Sequence, residues 1–119
     1  FVTVWGTGTA KREFLYIDDM ARACVHIMNL DESTFNEQTK SIISHINAGS
    51  GSDLTISELA EIIKAVVGYD GYIKFDQTKP DGSPRKFIDS QRLNNLGWKP
   101  KVSLKHGLNN AYKDFLKST

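Results

Sequence analysis

A chain of 119 residues, 39% hydrophobic and 24% charged, has room for one domain or part of one, with a modest core. A net charge of +1, without a basic stripe interleaved with aromatics, speaks against nucleic acid as a partner. No apolar run approaches membrane-spanning length and no signal peptide is visible; the single Cys24 excludes an intramolecular disulfide and fits a reducing, cytoplasmic compartment.

The chain opens inside an apolar, β-rich run, Phe1-Val-Thr-Val-Trp5, with no initiator Met and no polar leader, as expected of part of a longer polypeptide. Gly6-Thr-Gly-Thr9 ends that strand. It lacks the third glycine and the Lys-Ser/Thr pair of a phosphate loop, so a tight turn is expected. Lys11 to Ile17 reads as extended. Asp18 or Asp19 then caps a helix reaching about Leu30, with Met20, Ala23, Cys24, Ile27 and Met28 as a buried stripe and His26 beside it in a structural or surface role.

Residues 31–44 are polar and weakly patterned, a surface excursion with at most a helical turn. His45-Ile-Asn-Ala48 is read as a short strand before Gly49-Ser-Gly-Ser52. That order resembles a dinucleotide loop, but the three-glycine fingerprint and the acidic ribose ligand are missing. The next helix is the clearest local signal: Thr55-Ile-Ser-Glu58 is a capping box, Leu54 and Leu59 can form a hydrophobic staple, and Gly68 supplies the stop. Tyr72 to Phe75 is a strand.

Lys79-Pro-Asp-Gly-Ser-Pro-Arg-Lys86 follows. Pro80, Gly82 and Pro84 forbid a helix, so Lys79, Arg85 and Lys86 are presented on a stiffened loop that suits phosphate oxygens. The alternative is a solvated, turn-rich connector. Asp89 can cap a short helix ended by Gly97, with Leu93, Leu96 and Trp98 inward. Ser103 starts a last helix whose Leu104, Leu108, Ala111, Tyr112, Phe115 and Leu116 face inward. Alternating strands and helices give an α/β class with some parallel pairing. No Ser/His/Asp set and no Cys/His cluster at metal spacing appears, so neither a catalytic residue nor a metal is expected in this chain.

Three stretches carry a family resemblance. Arg12-Glu-Phe-Leu-Tyr-Ile-Asp-Asp19 is similar to the Arg-Glu-Phe-(x)2-Val-Asp-Asp element of the extended short-chain dehydrogenase/reductase sugar-nucleotide enzymes. Ile46-Asn-Ala-Gly-Ser-Gly51 with Leu54-Thr-Ile-Ser-Glu-Leu59 matches the same group. The run from Lys79 to Lys86, with Asp89 and Leu96-Gly-Trp98, closely resembles its GDP-L-fucose synthase branch, the NADPH-dependent 3,5-epimerase/4-reductases acting on GDP-4-keto-6-deoxy-D-mannose. Ala10 stands where that pattern has Pro.

The resemblance implies that residues 1–119 are the C-terminal, substrate-binding portion of such an enzyme, α/β with short strands and helices. The NADPH-binding domain and its Tyr-x-x-x-Lys set would lie elsewhere, because no Tyr here has a Lys four residues on. It further implies that Arg12 and Lys86 bind the diphosphate or nearby groups of a GDP-sugar and that Trp5 lies against the substrate. Trp5 in the core and Arg85 in solvent are the alternatives. A homodimeric full-length enzyme is expected, and so is an inactive isolated chain, self-associating or locally disordered around residues 1–20 and 42–50. Another sugar-nucleotide epimerase or dehydratase, or a non-catalytic nucleotide-sugar module, would share many of these features.

Overall fold

The computed structural model describes residues 1–39 and 43–118. Residues 40–42, part of the expected surface excursion and the first residue of the stretch expected to self-associate, lie outside them. The described chain runs β1 (Val2–Trp5), β2 (Lys11–Glu13), α1 (Ile17–Met28), α2 (Glu32–Gln38), β3 (Asp53–Thr55), α3 (Ile56–Val67), β4 (Ile73–Asp76), β5 (Arg85–Lys86), α4 (Gln91–Asn95) and α5 (Leu104–Ser118). The α/β class and the parallel pairing expected from the sequence are present.

Two small sheets carry the strands. In the first, β1 and β4 pair in parallel with Val2 opposite Ile73 and Val4 opposite Phe75. Strand alternation puts Val2, Val4 and Ile73 on one face, where they meet Ala60, Ile63 and Val67 of α3 around an apolar hollow of about 380 Å³. In the second, β2 lies between β3 and β5, antiparallel to the former and parallel to the latter.

Helix α3 forms where its signals place it. The Thr55 hydroxyl accepts from the Glu58 amide at 3.1 Å, the Glu58 carboxylate accepts from the Thr55 amide at 2.7 Å, and Gly68 ends the helix at φ 68°. The core is small: Ala23, Leu93 and Trp98, with Leu15, Ile27, Ile46 and Ala48 packed against it. Leu93 and Trp98 are thus where the sequence puts them, and Gly97 supports the turn between them at φ 89°.

Helix α1 departs from expectation twice. Of its apolar stripe only Ala23 is buried; Met20, Cys24 and Met28 are exposed, because the stripe is covered where Ala23 and Ile27 pack with Leu93 and Trp98. Neither Asp18 nor Asp19 is the cap. The helix starts at Ile17 after Tyr16, which makes no side-chain cap bond. Asp19 is instead fully buried, accepting the Lys101 and Val102 amides at 2.9 Å each and pairing with Arg22. Burial opposes its ionisation, but the two amides and the guanidinium outweigh it and hold the carboxyl below the usual range.

Three further readings change. His45-Ile-Asn-Ala48 is not a strand: Ile46 and Ala48 reach the core, but the backbone has no ladder partner among the described residues. Asp89 precedes the Ser90 cap position of α4, although its carboxylate still accepts from the Gln91 amide at 2.9 Å. Phe115 and Leu116, expected inward, are 60% and 55% exposed. His26 has the structural role expected, its Nε2 lying 2.8 Å from the Leu96 carbonyl oxygen.

Candidate functional site

The basic loop is tied down along its length. Asp81 accepts from the Thr7 amide at 2.9 Å and the Thr7 hydroxyl at 2.6 Å, which fastens it to the turn after β1. The Lys11 amide donates to the Pro84 carbonyl at 2.8 Å, and Arg12 Nη1 donates to the Ser83 carbonyl at 2.8 Å and to its neighbour Lys11 at 2.6 Å. A loop held by its backbone in this way presents cations at little further entropic cost. Thr7's hydroxyl, and next its amide, hold the Asp81 carboxyl below the ordinary range.

The three cations of the loop end in different places. Arg85 is bonded to Asp53 at 2.5 Å and lies over the Phe87 ring, 4.6 Å from its centroid. That hydrogen bond lowers the Asp53 carboxyl and raises the Arg85 guanidinium, so Arg85 is committed within the chain rather than free in solvent. Lys79 lies over the Trp5 ring at 5.6 Å. Lys86 is the ladder partner of Arg12 in the parallel β2–β5 pair.

Partnered residues on adjacent strands are about 4.8 Å apart and leave the sheet on the same face. Arg12 and Lys86 are therefore neighbours on one face, while Lys11, Glu13 and Arg85 lie on the other. Arg12 Nε and Nη2 have no intramolecular partner among the described residues. Two cations side by side, one a planar fork with free donors, suit an anion carrying more than one charge.

Trp5 ends β1 in the other sheet. At 72% exposure it is not a core residue, and one ring face already carries Lys79. It is linked to the Arg12–Lys86 pair through the loop, by way of Lys79 and the Thr7–Asp81 bonds. Two contributors were missed from the sequence, Asp81 and Glu13. Glu13 Oε1 accepts from the Gly51 amide at 2.8 Å and the Ser50 hydroxyl at 3.3 Å, and Oε2 from the Ile88 amide at 2.9 Å. Both are acids inside the motifs, but their partners lie 37 to 75 residues away in sequence, and no local pattern reports that.

Three turn glycines, Gly6, Gly8 and Gly49, are closely approached by other side chains. Gly6 and Gly8 have φ 85° and 77°; a Cβ on Gly6 would stand 2.2 Å from Asp81 Oδ1, and one on Gly8 2.4 Å from the Phe75 ring. At Gly49 it would stand 2.6 Å from Glu13 Oε1. At these three positions the space a Cβ would take is occupied by the chain's own side chains, whereas Gly51, at φ 77°, has nothing within 4 Å. Among the described residues no group of His, Cys, Asp and Glu could hold a metal ion, and no helix is long and apolar enough to cross a membrane.

Comparison with known proteins agrees with the motifs. The model of the NAD dependent epimerase/dehydratase family matches residues 2–49. The GDP-L-fucose synthase of Escherichia coli (strain K12) is 51% identical over 98% of this chain and 36% of its own length. GDP-L-fucose synthase 1 of Arabidopsis thaliana is 50% identical over 98% of this chain and 33% of its own. Among solved structures, a GDP-6-OMe-4-keto-L-xylo-heptose reductase from Campylobacter jejuni superposes with a TM-score of 0.87 at 35% identity, covering 98% of this chain and 34% of that one. The α/β arrangement is thus shared with an enzyme of GDP-sugars, and the resemblance to GDP-L-fucose synthases runs over nearly the whole chain. The chain spans about a third of the length of the relatives it matches.

Proposed function

We propose that this chain is the C-terminal, GDP-sugar-binding part of an NADPH-dependent 3,5-epimerase/4-reductase that converts GDP-4-keto-6-deoxy-D-mannose to GDP-L-fucose. The observation that carries the reading is the Arg12–Lys86 ladder pair, two cations on one face and backed by a loop tied to the turn after β1 and to β2. A diphosphate is the part of a GDP-sugar that such a pair would neutralise. Trp5, exposed and flanked by Lys79, would lie against the substrate. Identity near one half to GDP-L-fucose synthases supports the substrate class.

In this reading the chain orients the nucleotide end, and NADPH is held and oxidised on the remainder of a cytoplasmic, homodimeric enzyme. The isolated 119 residues would then self-associate or be locally disordered around residues 1–20 and 42–50, and would not oxidise NADPH with the keto-sugar. The test is incubation of the full-length gene product with NADPH and GDP-4-keto-6-deoxy-D-mannose. Formation of GDP-L-fucose is expected. Turnover of a UDP-sugar instead would assign the protein to another epimerase or dehydratase, and binding of GDP-sugar without turnover would make it a non-catalytic module.

A further inference from the structure

The Arg12–Lys86 pairing is held by very little backbone. Strand β5 is two residues long, and its ladder with β2 consists of Lys11 opposite Arg85 and Arg12 opposite Lys86. A ladder this short cannot fix its own register, so the register must be set from outside. Before the strand, the Pro84 and Ser83 carbonyls are tied to the Lys11 amide and to Arg12. After it, the Ile88 amide donates to Glu13 Oε2 at 2.9 Å, two residues beyond Lys86. The other Glu13 oxygen holds the Gly51 amide and the Ser50 hydroxyl.

One carboxylate therefore clamps three segments, β2, the 49–51 turn and the run leaving β5. The crossing is close: a Cβ on Gly49 would meet both Glu13 Oε1 at 2.6 Å and the Ser90 hydroxyl oxygen at 2.9 Å. That Ser90 oxygen is buried and has no partner among the described residues, and Asn47 Nδ2 donates to the Asp89 carbonyl at 3.2 Å, so Glu13 shares this corner with one longer side-chain bond. Glu13 is adjacent to Arg12 in β2 and so projects from the opposite face of the sheet. It does not face an anion held by Arg12 and Lys86.

We propose that Glu13 is a positioning residue for the anion site, holding Lys86 in register beside Arg12 from the far face of the sheet. This rests on the reading of that pair as the diphosphate contact. Both carboxylate oxygens must accept. Glu13→Gln keeps the shape but turns one end into a donor, which would confront either the Gly51 or the Ile88 amide with another N–H.

The experiment is a double-mutant cycle in the full-length gene product, with Glu13→Gln, Lys86→Ala and the pair titrated calorimetrically with GDP, and NADPH binding measured on each as the check of folding. Glu13→Gln should weaken GDP binding about tenfold in the parent and leave the Lys86→Ala protein nearly unchanged, the non-additivity expected of coupled residues. Equal losses in both backgrounds would overturn the inference, since Glu13 would then act on the fold at large. So would parental affinity in Glu13→Gln when Lys86→Ala is weakened. If Lys86→Ala itself binds GDP like the parent, the site reading falls and takes this inference with it. Loss of NADPH binding in Glu13→Gln would also overturn the assignment, because the residue would then be needed for folding rather than for register.

Discussion

Thr7 and Asp81, 74 residues apart, make two hydrogen bonds, from the Thr7 amide at 2.9 Å and from its hydroxyl at 2.6 Å, both to the same carboxylate. The contact joins the glycine turn after the first strand to the centre of the basic loop. Thr7→Val removes the hydroxyl and keeps the shape. Its loss should raise the Asp81 pKa towards the ordinary value, as the hydroxyl is the largest cause of the depression. Amide exchange across residues 79–86 should quicken. Side-chain carboxyl NMR and hydrogen exchange measure the two effects; an unmoved Asp81 and an unchanged loop would show that the tie does not hold it.

Asp19 gives an acid-dependent stability. Its folded pKa lies below the ordinary aspartate value. Its contribution is therefore complete above the unfolded value and is lost as pH falls from about 4 through the folded pKa. Asp19→Asn leaves buried amides facing an N–H and should cost about 3 kcal/mol at neutral pH, with a shallower fall in stability below about pH 4. Urea denaturation of parent and variant between pH 2 and 7 measures it, and parallel acid limbs would contradict it.

Gly8 is constrained twice, by φ 77° and by the Phe75 ring 2.4 Å from where a Cβ would stand. Gly8→Ala should destabilise by about 2 kcal/mol. A thermal midpoint equal to the parent's would mean that the turn re-forms around the methyl group.

Thr55→Ala removes the acceptor for the Glu58 amide and half of the reciprocal box at the start of α3. A loss of about 1 kcal/mol is expected in chemical denaturation. No change would show that the box contributes nothing to stability.

Signals confined to a few neighbouring residues were legible in the sequence. Thr55 with Glu58, Gly68, Leu93 and Trp98 are each decided by residues within one or two turns, and each appears as read. What failed depends on distant partners. Asp18-Asp19 has the look of a helix start, but Asp19 is claimed by amides more than 80 residues away. The α1 stripe has helical spacing, yet spacing does not say how much of a stripe this chain covers, and Met28 is left 83% exposed. His45 to Ala48 has strand-like composition, but a strand exists only beside another. For the site, the loop's prolines showed that it is stiff and its residues showed that it is basic. Which cation stands beside Arg12, and which is spent on Asp53, follows only from the register of β2 and β5.

The most direct test is calorimetric titration of the full-length Arg12→Ala and Lys86→Ala proteins with GDP and, separately, with NADPH. Each charge-assisted contact to phosphate contributes about 1.5–3 kcal/mol, so each variant should bind GDP about ten- to hundredfold more weakly. Arg12→Lys should recover only part of the loss, because a point charge does not reproduce the planar fork. NADPH affinity should barely move. Parental GDP affinity in both alanine variants would mean that the Arg12–Lys86 pair meets no diphosphate and that the basic loop is a solvated connector.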